Sequence, residues 1–375
     1  MRILFDHQIF WLQRYGGISR YYVELIERLR RLPGVDLRMS MWYSQNAHLA
    51  ASSLIDAGLA PSRPLSFGMV QRIDGLIGRN WAGRLNERCS IKALKKGSYD
   101  LFHPTYYTPY FLEHLGERPF VITVYDMIHE LFPHMLGKDD PTSERKKVLV
   151  DRADKLIAIS DSTKNDLVRI CGVAPSKVEI VHLASSLDPS QAAPRPEWLP
   201  SRYVLFVGNR WGYKNFEPFA RSMSAVMRED ADVHLVCGGG GPLTEAENRL
   251  LKEVGIDNRT IQIKFDDPLL TCLYRNAEAF VFPSLYEGFG IPILEAFSCG
   301  CPLVCGNTSS FPEVVGDAGV MFDPRDEAAM AEAISNVLAD AEMRQRMADR
   351  GLARAREFSW DKTAKRTLEV YEGML

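Results

Sequence analysis

The 375-residue sequence predicts an α/β protein of two Rossmann-like, doubly wound lobes that face a cleft. Three observations carry that prediction. Short apolar runs alternate with segments of helical periodicity, the pattern of parallel sheets covered by helices on both faces. A proline-rich stretch interrupts the alternation near mid-chain, and the alternation then restarts. Glycine-containing polar loops follow several apolar runs, at the strand ends where such sheets take their ligands.

In the first lobe, residues 1–185, the predicted strands are Arg2–Asp6, Val35–Met41, Asp100–His103, Phe120–Tyr125, Lys155–Ile159 and Val178–His182. Helical spacing of Ile18, Tyr22, Leu25, Ile26, Leu29 and Leu32 places a helix over Ile18–Leu32, and a second covers Ser162–Ile170. Residues 186–202 hold prolines and small polar residues and read as a linker. In the second lobe, residues 203–357, the strands are Tyr203–Val207, Val233–Cys237, Ile261–Phe265, Ala279–Pro283, Pro302–Cys305 and Val320–Phe322. A terminal helical pattern fills 358–375.

Composition narrows the function classes. With 46% hydrophobic and 25% charged residues the chain is an ordinary globular one, and its formal charge of -3 argues against nucleic acid as a partner. No run of about 18 apolar residues predicts a membrane span, and Arg2-Ile3-Leu4-Phe5-Asp6 lacks a signal-peptide pattern, so a cytoplasmic location is expected. The seven cysteines are scattered. Cys299, Cys301 and Cys305 cluster without histidines or metal-site spacing and read as small buried residues.

The segment Ser284–Ala296 is the most telling. A buried strand runs into Gly288 and Gly290, where the backbone can turn sharply, and Pro292 suits the first turn of the helix that follows. A helix start offers free N–H groups and a positive dipole to an anion. Glu287 in the loop and Glu295 two turns into the helix, seven residues between them, read as acceptors for hydroxyl groups beside that anion site. The combination suits a sugar attached to a phosphate. Gly16 and Gly17 open the Ile18 helix, either as a tight turn or as a cradle for phosphate. Arg210 and Lys214 follow the first strand of the second lobe, where fixed cations would stabilise a departing diphosphate. Ser309 and Ser310 could donate to phosphate or ribose, or Ser310 could cap a helix. His103, Asp126 and His129 end apolar strands of the first lobe and are candidates for sugar or acceptor contact, or for structural roles.

Three other patterns are weaker. Cys237–Pro242 is glycine-rich, but Leu243 breaks the dinucleotide spacing. Asp230-Ala231-Asp232 reads as a solvated turn, so no metal site is expected. Across 70–96, Ile73, Leu76, Ile77, Trp81, Leu85, Cys89 and Leu94 form an approximate helical stripe with a basic excess of +5. Such a helix either lies on an anionic membrane or packs on the core with its basic side solvated.

The whole string from Glu287 to Glu295, with its Glu-Gly-Phe-Gly-x-Pro context, resembles the retaining glycosyltransferases of family 4, the glycosyl transferases group 1 with the GT-B fold. The resemblance implies a final helix returning to the first lobe, an acceptor side in that lobe and a nucleotide-sugar site in the second. It also implies that Arg210 and Lys214 bind the diphosphate. Glu287 and the Phe289-Gly290 backbone would hold sugar hydroxyls and Glu295 the ribose, with Gly288 and Ile291 also binding the donor. Gly16, Gly17 and Ser309 would lie near the donor. The chain departs from the pattern in places. The family's Gly-Arg is Gly208-Asn209-Arg210 here, the histidine position two beyond His103 is Thr105, and Val-His-Asp is Val124-Tyr125-Asp126.

The resulting expectation is a retaining, metal-independent hexosyltransferase with no cofactor. It would use a nucleotide-diphosphate sugar, mannose marginally favoured, and a saccharide or lipid-linked saccharide acceptor in bacterial surface-polysaccharide synthesis. A peripheral position at the inner face of the cell membrane would follow from the 70–96 helix. A GT-B-fold nucleotide-sugar epimerase and a non-enzymatic nucleotide-sugar-binding regulator are the alternatives.

Overall fold

The computed structural model describes residues 1–61, 81–135 and 140–375, and among these twelve short strands, paired in parallel wherever they pair, organise the fold. The chain folds as two compact units, Met1–Leu183 with Trp360–Leu375 (unit 1) and Ala184–Ser359 (unit 2).

Unit 1 contains β1 (Arg2–Asp6), β2 (Asp36–Ser40), β3 (Leu101–His103), β4 (Val121–Val124), β5 (Lys155–Ala158) and β6 (Val178–Ile180). They form sheets in the orders β2-β1-β3 and β4-β5-β6. A parallel bridge between Phe102 and Phe120 joins the two. Burial of β3 and β4 on both faces explains their continuous apolar character. The Gly17–Leu29 helix turns Tyr21, Tyr22, Leu25, Ile26 and Leu29 inward. The Trp360–Glu372 helix belongs to this unit. Its Tyr371 Oη lies 2.6 Å from His103 Nδ1, and Asp361 pairs with Arg28 at 3.4 Å.

Unit 2 is one six-stranded sheet of β7 (Tyr203–Val207), β8 (His234–Gly238), β9 (Thr260–Ile263), β10 (Ala279–Phe282), β11 (Leu303–Gly306) and β12 (Val320–Phe322). Its order is β12-β11-β10-β7-β8-β9. Two βαβαβ halves therefore run outward from β7 and β10, and the strand order reverses between those two. Phe206, Phe219, Met223, Leu235, Val281 and Ile334 lie in its core; each such side chain contributes roughly 1.5–3 kcal/mol on burial. The proline-rich stretch is anchored here: Ala193 N–H donates to Pro268 O and Arg275 to Pro189 O.

The basic stripe differs from its reading. Residues 70–80 lie outside the described ones, while Trp81–Lys96 is a helix. Its inward face is Ala82, Gly83, Asn86, Ser90 and Leu94, with Leu85 and Cys89 only half-buried. Asn86 Oδ1 accepts from the Trp42 and Tyr43 N–H groups and its Nδ2 donates to Tyr43 O, all at 2.8 Å. Ser90 Oγ donates to Ser40 O at 2.7 Å. Polar side chains dock this helix, so a pattern built on apolar residues alone sets its face one position off. Arg84, Arg88, Lys92, Lys95 and Lys96 are exposed.

Candidate active site

In unit 2 the reversal of strand order makes the loops after β7 and β10 neighbours at their C-terminal ends, the place where sheets of this kind bind ligands. Tyr213 O accepts from Leu285 N–H at 2.8 Å, tying one loop to the other. Lys214 comes from the first and Glu287 from the second, and Lys214 Nζ lies 2.5 Å from Glu287 Oε1. Both side chains are largely buried, at 15% and 13% exposure. Ser284 Oγ donates to the same Oε1 at 2.7 Å. The ammonium also lies 5.3 Å from the Tyr213 ring centroid and 5.4 Å from that of Phe282, within cation–π range.

The backbone at Glu287 is held by the serines of the 307–310 turn. Ser309, in the left-handed region with φ 58°, accepts from Glu287 N–H at 3.2 Å and donates to Glu287 O. Ser310 is buried, and its Oγ lies 3.0 Å from Glu287 O and 2.9 Å from Phe289 O. It makes no side-chain cap bond, so the capping reading of Ser310 does not describe it. Both serines bond the loop that carries the glutamate. After Gly288, Phe289 is buried with its ring against Phe358, leaving only its backbone to serve a ligand. Gly290 has φ 93°, and a Cβ there would come within 3.0 Å of Ile293 Cδ1 and 3.1 Å of Phe311. The position therefore requires glycine on two counts. It caps the Ile291–Ser298 helix, in which Glu295 is half-buried and accepts from Tyr274 Oη at 3.3 Å.

Arg210 has a different role from the one expected. Its side chain is 1% exposed. Nε donates to Glu247 Oε1 at 2.9 Å, Nη1 to Gly239 O at 2.8 Å, and Nη2 to Gly241 O and Pro242 O at 2.9 and 3.1 Å. A guanidinium whose donors are turned onto protein carbonyls does not face a phosphate. The one-residue displacement within Gly208-Asn209-Arg210 is the sequence signal for this. Glu247 also completes a capping box with Thr244. Against the upward push of burial, the Thr244 N–H and Arg210 hold its carboxyl below the usual range.

Unit 1 presents the remaining candidates. Gly16 is extended (φ 168°), and a Cβ there would collide with the Gln13 amide, whose Oε1 accepts from Ser19 N–H at 3.1 Å. The start of the helix headed by Gly17 is thus partly satisfied from within. Of the two readings left open for His103, substrate contact or a structural role, its burial favours the structural one. It is 0% exposed, bonded to Tyr371, Tyr22 and Thr123, and burial pushes its imidazole down to about 3. Thr105 is equally buried and gives its N–H and hydroxyl to Asp6 at 2.8 and 2.7 Å. Asp126 is half-buried, with Oδ1 accepting from Ile128 N–H. His129 faces Asp140 at 3.5 Å through Nε2. Sequence reasoning missed Lys146. It is fully buried and donates to Asp126 O and Glu130 Oε2, both at 2.9 Å, holding the turn that carries Asp126 and His129.

Comparison with known proteins gives the family. Residues 15–188 match the family model described as Glycosyltransferase Family 4, and residues 193–354 the model described as Glycosyl transferases group 1. The O-antigen chain mannosyltransferase B of Escherichia coli is 31% identical over 304 residues, 77% of this chain and 78% of that protein. The D-inositol 3-phosphate glycosyltransferase of Corynebacterium glutamicum (strain R) is 27% identical over 312 residues, 75% of this chain and 74% of the relative. Among solved structures, Anabaena Alr3699/HepE in complex with UDP-glucose superposes with a TM-score of 0.72 at 17% identity, covering 100% of both chains. The chain belongs to the family 4 glycosyltransferases, the glycosyl transferases group 1, and has their GT-B fold.

Proposed function

We propose that the protein transfers a hexose, mannose first among candidates, from a nucleotide-diphosphate sugar to a saccharide or lipid-linked saccharide acceptor, with retention of anomeric configuration and without a metal. The observation that carries this reading is the Lys214–Glu287 pair where the strand order of unit 2 reverses. As the glycosidic bond to the leaving phosphate breaks, negative charge grows on the diphosphate, and Lys214 is placed to meet it. Glu287 and the Gly288–Ile291 backbone hold the sugar hydroxyls, and Glu295 the ribose. The leaving phosphate takes the acceptor proton on the face it departs from, which retains configuration without a protein nucleophile. Arg210 acts here only by fixing the Gly239–Pro242 turn. Mannose and surface-polysaccharide synthesis are supported by the similarity to the O-antigen mannosyltransferase.

The test incubates the protein with labelled GDP-mannose, UDP-glucose and related donors, with and without saccharide acceptors and with excess chelator. Transfer with retained configuration, undiminished by chelation, supports the proposal. Conversion of the donor without an acceptor would identify an epimerase, and binding alone a regulator. No helix among the described residues is long and apolar enough to cross a membrane. The exposed cations of Trp81–Lys96 support a peripheral contact with anionic lipid. Sedimentation with anionic vesicles should then weaken with salt, whose screening length is about 10 Å at 0.1 M. It should weaken also in the Arg84→Gln/Arg88→Gln/Lys92→Gln variant, whereas equal partition into neutral vesicles rejects the contact.

A further inference from the structure

Lys214 and Glu287 are each other's partners in the structure, yet the proposed reaction asks both to face substrate. A phosphate oxygen arriving at Lys214 would compete with Glu287 Oε1, 2.5 Å away, for the charge of an ammonium that Glu287 now neutralises. Its ammonium otherwise faces only the Tyr213 and Phe282 rings among the described residues, so Glu287 is the carboxylate that neutralises it. Glu287 in turn would keep, among the described residues, Ser284 Oγ at 2.7 Å for its side chain. Its backbone is pinned by Ser309 and Ser310, so the carboxylate could leave only by turning its own side chain. At 13% exposure it would then stand unpaired beside a new anion, which is costly on two counts, desolvation and like charge.

From this geometry we infer that Glu287 competes with phosphate for Lys214, and that the exchange makes the site discriminate between an intact sugar nucleotide and a bare nucleoside diphosphate. The inference rests on the proposed function of the same site. An intact donor brings both halves of the exchange: its diphosphate takes Lys214, and its sugar hydroxyls give hydrogen bonds to the carboxylate that has been released. A bare nucleoside diphosphate brings only the anion and leaves Glu287 stranded. Once transfer has removed the sugar, the carboxylate regains Lys214 and displaces the spent diphosphate. One ion pair thus selects the donor and assists product release.

Calorimetric titration of the full chain tests this, with GDP against GDP-mannose and UDP against UDP-glucose as probe pairs. Wild type should bind the sugar nucleotide of one pair more tightly than its bare diphosphate. Glu287→Gln keeps the shape but cannot neutralise the ammonium. It should bind the bare diphosphate about tenfold more tightly than wild type and the sugar nucleotide less tightly, inverting the order. Glu287→Asp, whose carboxylate sits one methylene further from Lys214, should shift in the same direction by less and covers the case in which the glutamine variant does not fold. Lys214→Met should weaken both ligands. A bare diphosphate bound no more tightly by Glu287→Gln and Glu287→Asp than by wild type overturns the competition while leaving the glycosyltransferase site intact. Failure of both probe pairs to bind wild type overturns the site reading and the inference with it.

Discussion

Between β1 and β3 the strand order of unit 1 reverses, and between β7 and β10 that of unit 2 does. The polar groups at these two equivalent places are used in opposite ways. In unit 1 the carboxylate of Asp6 is 0% exposed and takes Gln8 Nε2, Thr105 N–H, Thr105 Oγ1 and Tyr110 Oη between 2.7 and 2.9 Å. Gln8 spends the rest of its amide on Thr108, accepting at 2.7 Å and donating at 3.2 Å. Every strong group there has protein partners, so the network stiffens two loops. In unit 2 Lys214 and Glu287 at the reversal have chiefly one another, the bond that the inference above has a ligand exchange. The comparison teaches that a shared strand order creates the opportunity for a site, and the bonding of the loop residues decides whether it is sealed or open.

The sharpest way to break the comparison uses two cations four residues apart. Lys214→Ala should lower kcat by ~10²–10³, a loss well beyond what its effect on stability explains, even though Glu287 is left without its cation. Arg210→Lys should do the reverse. A compact ammonium cannot span Glu247 and three carbonyls as the guanidinium fork does, so about 1–3 kcal/mol of stability should be lost with a smaller change in turnover. Steady-state kinetics at saturating donor, with thermal melts of both variants, decides. Normal turnover in Lys214→Ala removes the open site; unchanged stability in Arg210→Lys removes the clamp.

A second test acts on the sealed side. Asp6→Asn turns an acceptor of four bonds into a group that also donates, leaving Thr105, Gln8 or Tyr110 without an acceptor. Burial makes that worth about 1–3 kcal/mol of stability. Nucleoside-diphosphate affinity should hold within about twofold, since Lys214 and Glu287 are untouched. A large loss of nucleotide affinity at unchanged stability would mean that the unit 1 network is itself a donor site.

The same contrast explains which parts were legible in the sequence. Strand β7 follows the apolar run Tyr203–Val207 because a strand covered on both faces must be apolar, and β1 follows Arg2–Asp6 through its buried Ile3, Leu4 and Phe5. The α/β class and the Glu287–Glu295 string could be read because each leaves a local signature. Roles that depend on a partner far along the chain left none. Nothing near Arg210 announces that the carbonyls of Gly239–Pro242 need donors, and nothing near Thr105 points to Asp6 across 99 residues. Lys146 looks like any charged helical residue until Glu130 and Asp126 fold around it. Asn86 and Ser90 escaped for the opposite reason: they are inward-facing yet polar, satisfied by backbone groups that no periodicity test weighs.

The smallest effect separates buried from reactive histidine. His103 is neutral in the fold because burial lowers its imidazole to about 3, whereas in the unfolded chain it titrates near its ordinary value of 6.5. Below 6.5 the unfolded chain therefore binds a proton that the folded chain refuses, and stability rises with pH. The contribution is fully present above 6.5 and declines as pH falls toward 3, by about 1.4 kcal/mol per unit once well below 6.5. Other groups add their own acid dependence, so the test is a difference between wild type and His103→Gln, whose amide can bond Tyr371 or Thr123 but does not titrate. Hydrogen-exchange protection of the β3 and β4 amides, corrected for intrinsic pH dependence, reads unit 1 alone. The variant should be less stable at pH 7.5, and the gap should narrow between pH 6.5 and 4.5. A gap that stays constant over that range would show that His103 titrates alike in both states, and so that it is open to solvent and available to a substrate after all.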